Sequence, residues 1–260
     1  MSLTTRLKAP GLIMAIVTGL LCALASPAAR AGEALVAVAA NFTETAQALQ
    51  AGFEAETRHR LAFTPGSTGR LYAQIANGAP FDVFLAADQA TPERLASEGF
   101  ALERSRFTYA EGRIALWSAN PEGGAVETRL REGQYRHFAI ANPALAPYGA
   151  AAREALQSLG LWDEVQDQLV TGASIAQVHS MIETGNADLG IVAVSHFAGA
   201  DMTHADNWWE IPSGQYAAIR QDAILTRHGE TNAAAIAWLD YLQSPAARAI
   251  IRAHGYGVDG

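Results

Sequence analysis

The segment Gly66-Ser67-Thr68-Gly69-Arg70-Leu71-Tyr72-Ala73-Gln74-Ile75 organises the rest of the chain. It follows an apolar run, residues 61–64, that breaks at Pro65, and it continues into a helical pattern. The sequence therefore predicts a strand, a turn and a helix here. Glycines on both sides leave the approach to Ser67 free of Cβ atoms. Because the first N–H groups of a helix have no partners within it, such a helix start is a ready binding site for an anion.

The same alternation of short apolar strands and helices runs along the chain. Asn41, Thr91, Asn232 and Ser244 stand at positions typical of helix N-caps, and Pro147 opens a further helix. The predicted strands are residues 35–39, 61–64, 81–86, 113–117, 137–141, 169–171, 189–194 and 223–226. This alternation indicates an α/β fold with parallel sheets that helices cover on both faces.

The first 31 residues predict a secretory signal. Arg6 and Lys8 give a positive start, residues 11–25 are apolar, and Ala29-Arg30-Ala31 is a cleavage site with small residues at both ends. The apolar run is too short for a good membrane-spanning helix. We therefore expect export with cleavage after Ala31; the alternative for this segment is an N-terminal anchor that is retained.

Composition limits the kinds of site and partner open to the exported chain. Cleavage after Ala31 leaves 229 residues without a cysteine, because the single cysteine is Cys22. Disulfides, thiolate metal sites and cysteine nucleophiles are then excluded. The remaining 15 basic and 26 acidic residues give a net charge of −11, which disfavours nucleic acid and anionic membranes as partners. An anionic ligand would therefore be held by local dipoles in a cleft.

Six short motifs, in their order and spacing, resemble those of the periplasmic molybdate-binding proteins of ABC transporters, a family of two-lobed solute-binding receptors. The resemblance covers essentially all of the chain after residue 31. The motifs are Ala39-Ala40-Asn41-Phe42, the segment from Gly66 to Ile75, Asn142-Pro143 through Pro147-Tyr148-Gly149, Ala173-Ser174-Ile175-Ala176-Gln177, Thr184-Gly185-Asn186-Ala187-Asp188-Leu189-Gly190 and Ser244-Pro245-Ala246-Ala247.

The resemblance implies a type II periplasmic binding-protein fold, in which each of two lobes is a mostly parallel sheet flanked by helices. After the signal peptide, residues 1–31, the first lobe takes residues 32–110 and 217–260, and the second takes residues 111–216. It also implies a monomeric periplasmic receptor, without catalytic residues, a cofactor or any metal beyond that of the bound oxyanion. Its partners are then molybdate or tungstate and the membrane permease that receives it.

The resemblance further implies an oxyanion site at the interface of the lobes. Asn41 and Ser67 fall where the family uses small polar side chains and backbone N–H groups in the first lobe. Tyr148 and the backbone N–H of Ile175 fall where the second lobe contributes. Some members carry a tyrosine ligand at the position of Ala193, so here the phenol is expected from Tyr148. Further candidates beside these positions are Ala40, Thr68 and Ser174.

The ligand chemistry is consistent with these residue types. Molybdate and tungstate at neutral pH are tetrahedral dianions without a proton, so their oxygens only accept hydrogen bonds. The amide of Asn41 and the hydroxyls of Ser67 and Tyr148 can all donate, and the matched segments place no carboxylate at the binding positions. Protonated phosphate needs an acceptor for its hydrogen and is therefore disfavoured. Helix dipoles add about 0.3 to 1 kcal/mol each for an anion at an exposed site.

Other interpretations of the same residues stay open at this point. Asn41 and Ser67 are also good helix starts with no ligand, Tyr148 is also a half-buried aromatic, and Ile175 has a core side chain. The chain could be an exported hydrolase with Ser67 or Ser195 as nucleophile, although neither serine lies in a Gly-x-Ser-x-Gly motif. A receptor for another tetrahedral oxyanion, such as sulfate, is the third possibility.

Overall fold

The computed structural model describes residues 1–2, 31–200, 202 and 206–258. Its strands are β1 (Glu33–Ala39), β2 (Arg60–Gly66), β3 (Val83–Leu85), β4 (Phe107–Gly112), β5 (Ile114–Trp117), β6 (Phe138–Ala141), β7 (Leu169–Gly172), β8 (Leu189–Ala193), β9 (Trp208–Glu210) and β10 (Ile219–Leu225). Its α-helices are α1 (Thr43–Thr57), α2 (Thr68–Ala76), α3 (Ala90–Ser97), α4 (Val126–Arg131), α5 (Pro147–Ser158), α6 (Ile175–Glu183), α7 (Ala233–Leu242) and α8 (Pro245–Ala253). Short 3-10 helices lie at Ala40–Phe42, Glu103–Ser105, Pro121–Gly123, Gln166–Gln168, Val194–Phe197 and Ser213–Gln215.

The strands form two five-stranded sheets, with the orders β2-β1-β3-β10-β4 and β7-β6-β8-β5-β9. In the first sheet β10 is antiparallel to both of its neighbours, and the other four strands run in one direction. In the second sheet β5 is the strand that runs against the other four. The chain passes from one sheet to the other between β4 and β5, and returns between β9 and β10. This architecture confirms the predicted two-lobed α/β fold with mostly parallel sheets.

Helices cover both faces of the first sheet. On one face α1, α7 and α8 enclose a core that contains Phe53 and Trp238, and on the other α2 and α3 enclose a core around Phe84. The second sheet has its own core, in which Phe138 and Leu156 are fully buried. Each sheet is therefore a stable base from which loops at its strand ends can be positioned.

The end of β2 and the start of α1 differ from the sequence prediction. The strand β2 does not stop at Pro65 but continues through it to Gly66. A proline is tolerated there because β2 is an edge strand. The helix α1 is not capped by Asn41, since Phe42 holds the N-cap position and makes no side-chain hydrogen bond.

The helix α3 and the strand β10 both begin earlier than the sequence predicts. The helix after β3 begins at Ala90, before the predicted cap Thr91, because the carboxylate of Asp88 accepts the N–H of Thr91. The strand β10 begins at Ile219, four residues before the predicted start at Ala223. The polar pair Gln221-Asp222 concealed this extension, although both side chains are buried.

Among the residues that the structure describes, no helix has the length and apolar character needed to cross a bilayer. The predicted secretory signal, residues 1–31, lies almost entirely at residues 3–30, which are outside the described part of the chain.

Candidate functional site

A small cavity lies where strand ends of both sheets meet. The first sheet contributes residues that follow β1, β2 and β3, and the second contributes residues that follow β6 and β7. The lining residues are Ala39, Ala40, Asn41, Gly66, Ser67, Thr68, Ala87, Ala146, Pro147, Tyr148 and Ile175. None of these described lining residues has a charged side chain. Carboxyl ends of strands in open α/β sheets are where such proteins bind ligands.

Four helical segments of the described chain begin at the wall of this cavity. Their first residues are Ala40, Thr68, Pro147 and Ile175. The first N–H groups of a helix have no partners within the helix, and its dipole places partial positive charge at that end. The cavity is therefore electrostatically suited to an anion without any lysine or arginine in its lining.

Ser67 has a buried hydroxyl that forms no hydrogen bond with any described residue. The residue holds the N-cap position of α2, but its side chain accepts no N–H group from the helix. It is 4% exposed, and within the described residues its Oγ atom has no hydrogen-bond partner. Because buried polar atoms nearly always have partners, an unpaired hydroxyl in a cavity wall indicates a place for a ligand.

The hydroxyl of Thr68 and the N–H of Gly69, the two residues after Ser67, form hydrogen bonds within the protein. Thr68 Oγ1 accepts the N–H of Ala87 at 3.0 Å, which joins the start of α2 to the segment after β3. The N–H of Gly69 donates to the carbonyl of Leu145 at 2.9 Å. Leu145 follows β6, so this bond links the two sides of the cavity. The N–H of Gly69 is therefore already paired within the protein.

A side chain at position 69 would disturb this link. A Cβ atom on Gly69 would lie 3.1 Å from the carbonyl oxygen of Leu145 and 3.3 Å from its Cα. These contacts are tighter than ordinary van der Waals contacts. The glycine thus lets the backbones of the two sides approach closely.

Tyr148 brings a phenol from the second sheet to the cavity. It is the second residue of α5, and its side chain is 1% exposed. Its oxygen accepts hydrogen bonds from Gln221 Nε2 at 3.2 Å and from Asn41 Nδ2 at 3.3 Å. Burial raises the pKa of Tyr148 well above the ordinary value of a tyrosine, so the phenol stays protonated at neutral pH.

Asn41 lies in the wall, but its side-chain nitrogen is engaged inside the protein. Its Nδ2 atom lies 2.8 Å from Gln221 Oε1 and 3.1 Å from the hydroxyl of Tyr256. The predicted donor of this side chain is therefore used for a buried network. The backbone carbonyl of Asn41 also accepts the hydroxyls of Tyr256, at 2.7 Å, and Ser195, at 3.0 Å.

The remaining predicted residues lie at or beside the cavity. Ile175 lines it as the first residue of α6, and its side chain is 3% exposed. Ser174 is the N-cap of α6, where its hydroxyl accepts the N–H of Gln177 at 3.3 Å; its side chain is not part of the lining. Ala40 lines the cavity with the start of its 3-10 helix. The structure thus brings Ala40, Asn41, Ser67, Thr68, Tyr148 and Ile175 together.

Sequence reasoning missed the residues behind the wall. Gln221 is fully buried, and Tyr109 and Tyr256 are 3% and 4% exposed; Gln221 Oε1 lies 3.2 Å from the hydroxyl of Tyr109. Three polar residues, Arg220-Gln221-Asp222, within an otherwise apolar strand were the available signal for Gln221. Tyr256 gave none, because it lies 215 positions from Asn41 in sequence.

The serines considered as nucleophiles show no catalytic pairing in the described residues. Ser195 donates to the carbonyl of Asn41, and Ser67 has no hydrogen-bond partner. A hydrolase would need a base within hydrogen-bond reach of its serine. The geometry therefore favours binding over acyl transfer.

Comparison with known proteins is consistent with this geometry. Residues 34–257 match a family model described as bacterial extracellular solute-binding protein. The chain is 47% identical over 251 residues to the molybdate-binding protein ModA of Azotobacter vinelandii, an alignment that covers 95% of this chain and 97% of that protein. It is 44% identical over 255 residues to the molybdate-binding protein ModA of Rhodobacter capsulatus, with 96% of each chain covered.

Solved structures show the same relationship. The periplasmic molybdate-binding protein of Azotobacter vinelandii superimposes with a TM-score of 0.82 at 40% identity, covering 87% of this chain and 100% of that chain. The sulfate-binding protein SubI of Mycobacterium tuberculosis superimposes with a TM-score of 0.69 at 13% identity, covering 86% of each chain. The second likeness shows a shared fold alone.

Proposed function

The chain belongs to the bacterial extracellular solute-binding protein family, and we propose that it is the periplasmic molybdate-binding component of an ABC transporter. Its relatives at 47% and 44% identity are molybdate-binding proteins. One observation carries the proposal for this chain: the hydroxyl of Ser67 is buried, has no partner among the described residues, and belongs to a residue that lines a cavity at which helices begin. A ligand that accepts hydrogen bonds supplies the partner that this hydroxyl lacks.

The chemistry of the lining favours an unprotonated dianion. Molybdate accepts hydrogen bonds at four oxygens and donates none, and the described lining offers hydroxyls and helix-start N–H groups but no carboxylate. Tungstate has the same shape and charge, so we propose that it binds as well. Hydrogen phosphate would bring a hydrogen for which the described lining has no carboxylate acceptor.

The proposed contacts come from both sides of the cavity. The hydroxyls of Ser67 and Tyr148 and the N–H of Ile175 donate to the anion, together with the helix starts at Ala40 and Thr68. Asn41 serves mainly by holding Tyr148, since its amide nitrogen is engaged in the buried network. Ser174 contributes by capping α6 and fixing where Ile175 lies.

We further propose that the anion is held between two lobes that close by a hinge motion. Residues 32–110 and 217–260 belong to the first lobe, to which the end of β4 adds residues 111–112, and the rest of residues 111–216 forms the second. Residues 1–31 direct export and are removed. The closed monomer then docks on a membrane permease and delivers the anion without chemical change.

Calorimetry with molybdate, tungstate, sulfate and phosphate tests this function. The expected result is one molybdate per chain, tungstate of similar affinity, and much weaker binding of sulfate and phosphate. Recovery of the anion unchanged after incubation excludes turnover. Equal affinity for phosphate and molybdate, or no molybdate binding by the wild-type protein, would overturn the proposal.

A further inference from the structure

Gln221 lies behind the cavity and joins its two sides. It belongs to β10 of the first sheet and is fully buried. Its Oε1 atom accepts Asn41 Nδ2 at 2.8 Å, and its Nε2 atom donates to the hydroxyl of Tyr148 at 3.2 Å. Gln221 is not among the residues that line the cavity, so it can act on a ligand only through its neighbours.

The hydrogens of this network have one consistent direction. It begins at the backbone carbonyl of Asn41, which can only accept, and the hydroxyl of Tyr256 donates to it at 2.7 Å. The oxygen of Tyr256 then accepts Asn41 Nδ2 at 3.1 Å. This fixes the orientation of the Asn41 amide, so that Nδ2 also faces Gln221 Oε1, and the Nε2 atom of Gln221 must point to Tyr148.

The hydroxyl hydrogen of Tyr148 is left to donate. Two amide N–H groups face its oxygen: Gln221 Nε2 donates to it at 3.2 Å, and Asn41 Nδ2, whose two hydrogens are shared among three acceptors, lies 3.3 Å away. Among the described residues no acceptor receives its own hydrogen, and the phenol belongs to the lining of the cavity. Burial keeps this hydrogen in place because it raises the pKa of Tyr148. The hydrogen is therefore available to whatever occupies the cavity.

Gly112 makes this arrangement possible. It is the last residue of β4, and a Cβ atom there would lie 2.1 Å from the hydroxyl oxygen of Tyr148 and 2.9 Å from Gln221 Nε2. Any larger residue would push the two side chains apart. The contact between Gln221 and Tyr148 thus depends on a glycine at the point where the chain leaves the first sheet.

On the basis of the molybdate-binding function proposed above, we propose that Gln221 is a positioning residue that makes Tyr148 an obligate hydrogen-bond donor. Because amide N–H groups of Gln221 and Asn41 both face the phenol oxygen, the phenol hydrogen must point away from them, and Tyr148 meets an anion as a donor. An unprotonated oxyanion gains this hydrogen bond, whereas a protonated one finds no acceptor at the phenol. Gln221 thereby contributes to the preference for molybdate over hydrogen phosphate without touching either.

A double-mutant cycle of Gln221→Met and Tyr148→Phe tests the inference. In the wild-type background Gln221→Met is expected to weaken molybdate binding about tenfold, because the phenol is no longer held as a donor. In the Tyr148→Phe background the same change is expected to alter the dissociation constant less than about twofold, since the hydroxyl on which Gln221 acts is absent. Gln50→Met is the matched control, because this partly buried glutamine donates to the carbonyl of Leu61 away from the cavity.

Anion selectivity separates positioning from a merely structural role. If Gln221 positions the phenol, Gln221→Met lowers the ratio of the phosphate to the molybdate dissociation constant. A structural role would weaken both anions by the same factor and leave this ratio unchanged. Gln221→Glu keeps the shape of the side chain, and its carboxyl oxygen can accept the phenol hydrogen, so it is expected to weaken molybdate binding at least as much as Gln221→Met. This variant keeps the test available if methionine prevents folding.

The outcomes distinguish the two proposals. Effects of Gln221→Met and Tyr148→Phe that simply add, or an unchanged selectivity ratio, would overturn the positioning role while leaving molybdate binding in place. Failure of the wild-type protein to bind molybdate would instead overturn the proposed function. Thermal unfolding of each variant without anion establishes that the compared proteins are folded.

Discussion

The two sides of the cavity present their hydroxyls in opposite states. The Ser67 wall, residues 66–68, carries a buried hydroxyl with no hydrogen-bond partner among the described residues. The Tyr148 wall, residues 146–148, carries a phenol whose oxygen is held by two amide groups. Both side chains are almost completely buried. The same functional group is thus left unpaired on one side and held in a network on the other.

The two walls therefore affect the free energy of ligand binding in different ways. An unpaired buried hydroxyl costs about 1 to 3 kcal/mol in the free protein, which a ligand can recover on binding. A phenol already held by amides has little freedom to lose, so its hydrogen bond to a ligand costs less ordering. The Ser67 wall therefore favours binding by destabilising the free protein, and the Tyr148 wall by being organised beforehand.

Gly112→Ala is expected to have the largest effect, because it would damage the Tyr148 wall as a whole. The added Cβ atom would lie 2.1 Å from the hydroxyl oxygen of Tyr148, whose side chain is almost completely buried. Overpacking and the lost hydrogen bond together predict a loss of molybdate affinity of about a hundredfold or more.

Calorimetry measures this loss, and Gly214→Ala is the matched control, because a Cβ atom there meets nothing within 4 Å. Wild-type affinity in Gly112→Ala would show that the Tyr148 wall tolerates displacement and is not organised as described.

Ser67→Ala is expected to weaken molybdate binding by about 1 to 3 kcal/mol, since the anion then lacks one donor. The free protein should unfold at the same temperature or higher, because the substitution removes an unpaired buried hydroxyl. Calorimetry and thermal unfolding without anion measure the two quantities, with the exposed Ser97→Ala as control. An unchanged dissociation constant would remove Ser67 from the site.

Tyr148→Phe is expected to lower the stability of the free protein, in contrast to Ser67→Ala. The change leaves Gln221 Nε2 without its acceptor, which predicts a loss of about 1 kcal/mol in the free energy of unfolding. Denaturant unfolding measures it, and Tyr72→Phe, at a surface tyrosine that donates to Glu98, is the control. If both wall variants changed the stability of the free protein in the same direction, the contrast between the walls would be wrong.

Of the two walls, only the Tyr148 wall should contribute to the pH dependence of stability, and we expect this contribution to be the smallest effect. Burial raises the pKa of Tyr148, whereas an unfolded tyrosine titrates near about 10. Above that pH the unfolded chain loses a proton that the folded chain keeps, so stability falls as pH rises. Below it both states are protonated, and the group adds no pH dependence.

Denaturant unfolding at pH 8 and 11 measures this slope. It should be shallower in Tyr148→Phe than in the wild-type protein, and unchanged in Ser67→Ala. Some slope remains in both variants, because burial also raises the pKa values of Tyr109 and Tyr256. Identical slopes in Tyr148→Phe and the wild-type protein would contradict the assignment.

Local signals in the sequence were enough for much of the fold. The helices after Asn232 and Ser244 begin where their cap residues predict, because each side chain accepts N–H groups within three residues of itself. The helix after Ser67 also begins as predicted. The candidate hydroxyls of Ser67 and Tyr148 could be proposed from motifs, and in the structure both residues line the same cavity.

The network behind the cavity could not be predicted in the same way. Gln221 contacts Asn41 across 180 positions of sequence, and it contacts Tyr148 across 73. Such pairs follow from how the two sheets meet, which no local pattern encodes. The use of Asn41 as a network donor, where a helix cap was predicted, has the same cause.

The bond from the Gly69 N–H to the Leu145 carbonyl has a consequence for timing. It joins the two sides directly beside the cavity, so on the hinge motion proposed above it must break whenever the two sides separate. The amide hydrogen of Gly69 would then exchange for deuterium only during an opening event. The exchange rate of this single amide would report how often the two sides separate. Bound anion would slow the exchange by the same factor by which it lowers the population of the open form.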